Sequence, residues 1–367
     1  MILPRLYSAE TTDFSNNGLG TISDAIDCKV TQGYGSSVLE MKYPTSGKLF
    51  AEMQAMRIIY AQPCPGKEPQ PYSIYKMKKI SDGVLYIYAR HICYNLDGWI
   101  IPPMESFTLP DALKQISENV KQVESFSDMS ELQKKKNRFN FVFETDSARI
   151  GNFSLKVPTD IWSAIGKMPG SLLEVFGTEV EFDGYSVRFL ERLGSDKGVS
   201  VKYGKNLISL EQEENFSQTY SGIVGYCYNG SKYVLYTAIA PGKHPVARFL
   251  PVDLTEQAGN LLELPAAAEE YVRNHDIGHP VVSLTVKMSS IEAGKTNREY
   301  SELEVVSLGD TVHVYFPLLD VSSSARVSKT VYDCLRGRYD IIEIGSTKKN
   351  AADVIENQQR QINRLKN

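Results

Sequence analysis

Short runs of alternating apolar and polar residues, separated by glycine-containing turns, constrain the fold more than any other feature. Residues 26–31 and 37–43 surround one such turn, and residues 72–80 and 84–89 surround another. Alternation with period two is typical of half-buried strands, and a glycine turn between two such runs indicates a β-hairpin. Several short strands at this spacing predict a small antiparallel β-barrel domain over residues 1–102.

The pattern changes after residue 102. Apolar residues then recur at alternating intervals of four and three, which predicts one buried helix face; they are Leu109, Leu113, Ile116, Val120 and Val123. A strand is expected at 140–144, a short helix at 158–168 and further strands within 175–190. Residues 103–198 are therefore predicted to form a mixed α/β domain.

Strand patterns return in the remainder of the chain. Residues 199–252 and 281–349 are predicted to form a second β-barrel domain, and residues 253–280 a helical insertion with a helix at 265–275 opened by Pro265. The last three predicted strands are residues 312–316, 325–332 and 339–345. The fold class is α+β, rich in β-structure and multidomain: two small antiparallel β-barrel domains plus an α/β domain. The 21 tyrosines and 14 phenylalanines suit such sheets.

The segment 350–367 has a different pattern, without glycine or proline. Its apolar seam has heptad spacing and predicts a C-terminal helix with candidate oligomerisation residues Ala351, Ile355, Gln358, Ile362 and Leu365. Two interpretations stay open. The helix starts a trimeric coiled coil, or it is a lone amphipathic helix packed on its own chain, since the seam is short.

Charge and cysteine usage exclude several classes of protein. The formal net charge of −4 gives no overall field for binding nucleic acid. No stretch has the ~18 apolar residues of a membrane helix, so no membrane anchor is expected. The first residues lack the pattern of a signal peptide, so none is expected. The five cysteines, which are scattered and never form a CxxC pair, are expected to be buried thiols in a reducing compartment.

Catalytic motifs are weak. No complete phosphate-binding loop and no GxSxG elbow occur. His275 and His279 have the four-residue spacing of a zinc-binding helix, but Gly278 and Pro280 would end that helix. We therefore expect no cofactor and no metal site, and an enzyme is not the favoured class. The pair is the first to test under a cell-wall hydrolase hypothesis.

Two weaker binding hypotheses also come from the residues. The basic run Lys134–Lys136 precedes Phe139, Phe141 and Phe143, which could stack on nucleic acid. Phenylalanine at every second position is also what a half-buried strand requires. A sugar-binding module would need exposed aromatic residues, and the sequence does not show which tyrosines are exposed.

An ordered set of segments resembles a known family, the prophage tail endopeptidase or tail-associated lysin proteins of tailed phages, in their N-terminal structural region. The segments are 13–26, 39–44, 57–59, 69–75, 88–96, 192–199, 203–207, 212–215, 308–312 and 339–345. No single segment is specific, but their order along the chain is.

The resemblance implies a fold similar to the central hub protein of contractile-tail baseplates. In that fold two small β-barrels of each chain close a homotrimeric ring, and the α/β domain with a further insertion builds an outer cup. The implied partners are the distal tail protein, the tape-measure protein and receptor-binding or baseplate proteins, with DNA passing through but not specifically bound. The implied place is the virion tail tip, after assembly in the bacterial cytoplasm.

The resemblance does not imply that residues 1–367 are catalytic. In members that cut peptidoglycan, the hydrolase lies beyond the structural region, and no residue of this chain supports hydrolysis. The favoured hypothesis is a structural tail-tip hub. The alternative is a tail endopeptidase, or its structural N-terminal part, with any hydrolase domain beyond residue 367.

Overall fold

The computed structural model describes most of the chain. The described residues are 2–123, 139–202, 209–217, 219–228, 230–242, 244–255, 257–258, 260–275, 277–279, 281–287, 306–316 and 321–345. The fold is β-rich, with several sheets and few helices. Contacts divide the chain into unit 1, Met1–Leu210 with Thr285–Gly345, and unit 2, Glu211–Leu284 with Ser346–Asn367.

Strands supply most of the regular structure. In chain order they are β1 (Arg5–Tyr7), β2 (Gly20–Thr21), β3 (Asp27–Gly33), β4 (Ser36–Pro44), β5 (Ile58–Ala61), β6 (Gln70–Lys79), β7 (Val84–His91), β8 (Ile100–Ile101), β9 (Met104–Thr108), β10 (Val142–Thr145), β11 (Ile150–Leu155), β12 (Thr159–Asp160), β13 (Glu179–Asp183), β14 (Ser186–Leu190), β15 (Asp196–Lys202), β16 (Ser209–Asn215), β17 (Gly222–Tyr228), β18 (Tyr233–Ile239), β19 (Phe249–Asp253), β20 (Val281–Lys287), β21 (Thr311–Phe316), β22 (Val321–Asp333) and β23 (Arg338–Gly345).

Three α-helices accompany the strands: α1 (Leu109–Val123), α2 (Leu172–Phe176) and α3 (Leu264–Asn274). Short 3-10 turns lie at Phe50–Glu52 and Ile92–Gly98, and a π-helical turn lies at Ser163–Lys167. None of the helices that the structure describes is long and apolar enough to cross a membrane.

The large sheet of unit 1 has the strand order β23-β22-β3-β4-β7-β6-β5-β1-β2, and β21 joins β15 to the first half of β22. Both predicted hairpins are present, as β3–β4 and β6–β7. The predicted alternation is clearest on β4, where Leu39, Met41 and Tyr43 are buried and Glu40 and Lys42 are exposed.

Strand β22 connects the start and the end of the chain. It pairs antiparallel with β3 from Lys329↔Gly33 to Asp333↔Lys29, and with β23 along its opposite edge. The sequence pattern places β3 and β22 in different barrels. Among the described residues neither predicted barrel is closed. Strand β22 pairs with strands of both predicted barrels, so these strands form one continuous open sheet. The predicted domain boundaries themselves stay a prediction.

Residues 99–190 form the α/β portion of unit 1. Helix α1 covers the residues predicted from the apolar periodicity. The core of the α/β portion contains its residues Leu109, Leu113, Ile116 and Val120. Strands β10 and β14 are parallel, and β13 pairs antiparallel with β14. The helix predicted at 158–168 is wrong in its first turn: Thr159–Asp160 is strand β12, and a π-helical turn follows it.

Unit 2 contains a three-stranded sheet with the order β18-β17-β19 and helix α3. Pro265 lies in the first turn of α3, as the sequence predicted, because its missing N–H would have no partner there. Leu264, Ala268 and Val272 of the helix pack with Ile223 and Cys227 of the sheet.

Two glycines permit a close backbone approach within unit 1. Gly194 and Gly309 have φ angles of 72° and 83°, in the left-handed region that side chains disfavour. A Cβ atom on Gly194 would lie 2.3 Å from the backbone nitrogen of Asp310. The loop before β15 therefore reaches the loop before β21 only with glycine at these positions.

A matched pair of substitutions tests this approach. Gly198 has nearly the same φ, 71°, but no atom lies within 4 Å of the position of its Cβ. We expect Gly198→Ala to lower the free energy of unfolding by about 1 kcal/mol, the cost of the left-handed backbone alone. Gly194→Ala should lower it by more than about 3 kcal/mol, because backbone must also move. Equal losses in denaturant unfolding would contradict the close approach.

Candidate functional site

The residues predicted to carry oligomerisation, Ala351, Ile355, Gln358, Ile362 and Leu365, lie outside the described residues. Their role stays a prediction. A buried polar arrangement lies in unit 1, where the large sheet meets β13 and β14. We call it the polar junction and define it by Gln70, His91 and Asp183 with their partners.

Three hydrogen bonds hold the polar junction together. The His91 Nε2 atom lies 3.2 Å from Gln70 Oε1, and the Gln70 amide donates to Asp183 Oδ1 at 2.9 Å. The Gly184 backbone N–H donates to the same Gln70 oxygen at 2.6 Å. Gln70 begins β6, His91 ends β7, and Asp183 ends β13, so one buried glutamine joins a hairpin of the large sheet to the α/β portion.

His91 is buried and neutral at pH 7. Its Nδ1 accepts from the Cys93 backbone N–H at 3.3 Å, so the proton belongs on Nε2, which donates to Gln70. Burial disfavours the imidazolium and lowers the pKa of His91 to about 3, against a smaller opposing effect of Asp183. The ring also stacks with Phe182, 6.0 Å between centroids. A histidine with this pKa and two occupied nitrogens is a structural residue.

A cavity of about 230 Å³ lies beside the junction and is lined in part by charged side chains. Two carboxylates of its lining, those of Glu181 and Asp183, are ion-paired. Arg188 contacts Glu181 at 2.9 Å and Asp183 at 3.4 Å, and Lys67 also pairs with Glu181. These ion pairs join β13 to β14 and to the loop before β6.

A second polar cluster, the arginine clamp, joins β22 to β13. Arg326 forms a two-pronged ion pair with Glu179, with both N–O distances 2.7 Å. Its remaining donors reach the carbonyl oxygens of Leu193 at 2.7 Å and Gly309 at 3.1 Å. Planar bidentate pairs are the strong ones among charge-assisted hydrogen bonds.

Glu179 stays charged within this clamp. Burial would raise its pKa, but the hydrogen bonds from Arg326 and from the Leu193 N–H outweigh burial and hold the pKa below its ordinary value. The hydrogen bond to Glu179 in turn raises the pKa of Arg326. The ring of Tyr34 lies 5.3 Å from the guanidinium, which adds a cation–π contact.

Asp310 fixes the chain where the two glycines approach each other, directly after Gly309. Its side chain is almost fully buried and accepts from the backbone N–H groups of Ser195 and Ser307 at 2.9 and 2.8 Å. Lys197 neutralises it at 2.7 Å. A buried carboxylate with three donors holds two loops in place, because any movement would leave the charge unsatisfied.

These clusters position the α/β portion on the large sheet. Their titratable groups are neutral by burial or ion-paired, so they stabilise the fold and do not resemble a catalytic centre. Sequence reasoning did not identify any of them as site residues, since each cluster contains a contact between residues more than a hundred positions apart. One signal was available: four segments that carry the family resemblance contain Gln70, His91, Leu193 and Asp310.

The histidine pair does not form the helical site that zinc would need. Helix α3 ends at Asn274, and Gly278 has a φ of 107°. The His275 ring stacks on Tyr271 with centroids 3.8 Å apart, and its Nδ1 lies 3.0 Å from the Tyr271 carbonyl oxygen. The hydrolase hypothesis requires both imidazoles on one helix face, and they do not share one.

The structure also shows where the remaining sequence candidates lie. Phe139, Phe141 and Phe143 are partly buried against the core of the α/β portion, but the strand predicted at 140–144 is β10, which begins at Val142 and contains only Phe143 of the three. The basic run Lys134–Lys136 lies outside the described residues. All five cysteines are buried free thiols, as predicted. In the described ranges no three histidine, cysteine, aspartate or glutamate side chains form a metal-binding group.

The fold resembles those of several tail proteins of known structure. Prophage tail protein gp18 from Listeria monocytogenes EGD-e superposes with a TM-score of 0.62 and 14% identity, over 98% of this chain and 99% of that one. A tail protein from Neisseria meningitidis MC58 has a TM-score of 0.59 and 9% identity, over 94% and 97%. The 43 kDa tail protein of prophage MuSo2 from Shewanella oneidensis has 0.57 and 12%, over 87% and 92%.

No protein-family model matches the chain, and no curated protein matches it. At identities this low the superpositions show a shared fold. They cover nearly the whole length of the chains compared, so the likeness includes the arrangement of the elements along the sequence.

The arginine clamp gives a testable effect on stability. Glu179→Gln keeps the shape but removes the charge, and should lower the free energy of unfolding at pH 7 by about 2 kcal/mol. Because the folded pKa of Glu179 lies below its ordinary value of 4.5, this stabilisation is present above pH 4.5 and lost as the pH falls below it. Wild type and variant should therefore converge in acid.

The matched control is Glu105→Gln, since Glu105 pairs with Lys156 at 2.9 Å but both side chains are largely exposed. We expect it to change stability far less than Glu179→Gln does, because solvent screens an exposed ion pair. Equal losses for the two variants in urea unfolding at pH 7 would contradict the role of the clamp.

His91 predicts a separate pH dependence. The unfolded histidine binds a proton near pH 6.5, and folded His91 binds one only near pH 3. The unfolded state therefore binds more protons between these values, and each pH unit of acidification lowers stability by up to about 1.4 kcal/mol. His91→Gln should flatten this slope between pH 6 and pH 5, above the range in which Glu179 acts. An unchanged slope would show that His91 is not buried as a neutral ring.

Proposed function

We propose that this protein is a structural component of a phage-type tail. The observation that carries the proposal is the shared fold with prophage tail proteins over nearly the full length of both chains, with gp18 as the example at a TM-score of 0.62. The ordered family resemblance in the sequence supports the same assignment independently of the superposition. The place of action would be the tail of a virion.

The finer proposal is a hub at the tail tip. Three copies would form a ring with baseplate-hub-like architecture, in which strands of the predicted domains 1–102 and 199–252 with 281–349 line the tube. The ring would attach to the distal tail protein and lie near the tape-measure protein, with receptor-binding or baseplate proteins around it. What supports this proposal is the family resemblance and the heptad seam at 350–367.

The proposed role is mechanical and not enzymatic. A component that must withstand DNA passage needs rigidly fixed elements, and the arginine clamp, Asp310 and the polar junction each fix one segment of unit 1 to another by charged or buried hydrogen bonds. In these clusters nearly all titratable groups hold other residues in position, which is expected for a structural protein.

The oligomeric state tests the proposal. The chain has a mass of 41.1 kDa, and light scattering coupled to size exclusion should give about three times that mass at high protein concentration. A protein that stays monomeric, both alone and in the presence of purified distal tail protein, would contradict the hub proposal. Release of fragments from purified cell walls would favour the hydrolase alternative.

The seam can be tested separately. Ile355→Lys with Ile362→Lys places two charges on the predicted apolar face and should raise the trimer dissociation constant by at least about tenfold if the segment is a coiled coil. Asn357→Lys with Gln359→Lys is the matched control, because these positions lie off the seam. If both pairs behave alike, the segment does not join copies.

A further inference from the structure

One face of the large sheet is basic although the chain as a whole is acidic. On neighbouring strands β4, β6 and β7, outward-facing Lys42, Lys76 and Lys78 surround Tyr86 and Tyr88. We call these five residues the basic face. The strand register places Lys42 and Lys78 on the two sides of Tyr86, and Lys76 beside Tyr88.

The lysines of the basic face are exposed and lack carboxylate partners. Among the residues that the structure describes, no aspartate or glutamate lies within ion-pair distance of Lys42, Lys76 or Lys78; the ion pairs of the sheet lie elsewhere, for example Lys329 with Glu343 at 2.7 Å. Glu40, across β7 from Lys76, is the acidic residue of β4 on this face. Strand β3 also places Asp27 opposite Lys42, and Lys29 on that strand pairs with Asp27 at 3.8 Å and with Asp340 at 2.7 Å. Four lysines against three carboxylates leave a small excess of positive charge.

The two tyrosine rings contact these lysines, so their faces are not open for stacking with bases. The Lys76 Nζ lies 4.9 Å from the centre of the Tyr88 ring, and the Lys42 Nζ lies 5.7 Å from that of Tyr86. Nucleic-acid binding through stacking needs open ring faces in a basic groove. Here lysines occupy the ring faces on a sheet surface, so the face fits carboxylates of a protein better than bases.

The same sequence carries the complementary charge in one segment of unit 2. Residues 211–284 contain nine acidic and four basic residues, a net charge of −5, whereas residues 346–367 contain five basic and two acidic residues. Strand β16 exposes Glu211 and Glu213 two positions apart, with half-buried Gln212 between them. Two residues apart on a strand is also the spacing of Lys76 and Lys78, about 7 Å, so the two pairs match in charge and in distance.

We propose that the basic face of one copy binds strand β16 of a second copy, with Lys76 and Lys78 opposite Glu211 and Glu213. The lysines are exposed within their own chain, so they are available to another. The basic face cannot pair with itself, because like charges would meet. Contact between two different surfaces of identical chains is head-to-tail, the type that generates rings when the rotation closes.

This inference rests on the proposed ring. Charge-reversal variants test the contact between copies separately from the ring. The full-length variants are Lys76→Glu/Lys78→Glu, Glu211→Lys/Glu213→Lys and the fourfold combination. All four positions are exposed, so the variants should fold, which circular dichroism and thermal melting check. The control is Lys48→Glu/Lys114→Glu, which makes the same change in net charge at exposed lysines elsewhere in unit 1.

Sedimentation equilibrium at low and high salt gives the readout. Each reversed pair should raise the dissociation constant between copies at least about tenfold and the fourfold variant should restore it, while the control keeps the wild-type value. High salt should weaken association of the wild type.

Three results would overturn the contact. They are wild-type association after Lys76→Glu/Lys78→Glu, no recovery in the fourfold variant, and release of copies by labelled single-stranded DNA that binds the wild type but not Lys76→Glu/Lys78→Glu. In the first two cases a wild-type trimer would leave the proposed ring standing. A wild type that never associates would reject the ring itself.

Discussion

The pairing of β22 with β3 is the constraint on which the rest of unit 1 depends. It connects a strand near the start of the chain to one near its end, and β23 and β21 extend from the same strand. Arg326, on β22, then reaches Glu179 and the carbonyl of Leu193 in the intervening segment. Strand pairing so distant in sequence has a high entropic cost, and the arginine clamp and Asp310 are the kind of strong, directional interactions that offset it.

Local patterns predicted local structure well. Helix α1, the start of α3 and the hairpins β3–β4 and β6–β7 follow from apolar spacing, proline and glycine turns, all of which act over a few residues. The π-helical turn at Ser163–Lys167 was not predictable in this way, because the spacing of the buried residues Ile161, Trp162 and Ile165 is also compatible with an α-helical turn.

Pairings between distant segments were not predictable from periodicity. Nothing in the alternation of β22 specifies β3 as its neighbour, so two separate barrels were the simpler expectation. The polar junction was not predictable for the same reason, because Gln70 and Asp183 have no local pattern that marks them as partners. The segments that carry the family resemblance nevertheless include Gln70, His91 and Asp310, all of which hold distant segments of the fold together.

Charge is distributed unevenly in a chain whose net charge is small. The value of −4 combines a sheet face in unit 1 that carries exposed lysines with a segment, residues 211–284, of net charge −5. Buried charges in unit 1 are paired and fix the fold, whereas the exposed lysines of the basic face remain available to another chain. Interior ion pairs thus fix the fold, whereas assembly is the role we propose for the exposed lysines.

The central claim is that this protein is a structural tail component whose copies form a ring. Electron cryo-microscopy of tail particles that incorporate the protein tests it most directly, because both its position and its copy number can be counted. We expect three copies around the tube axis at the end of the tail, each with the fold described above. Density for the chain at another place, or a single copy off the axis, would contradict it.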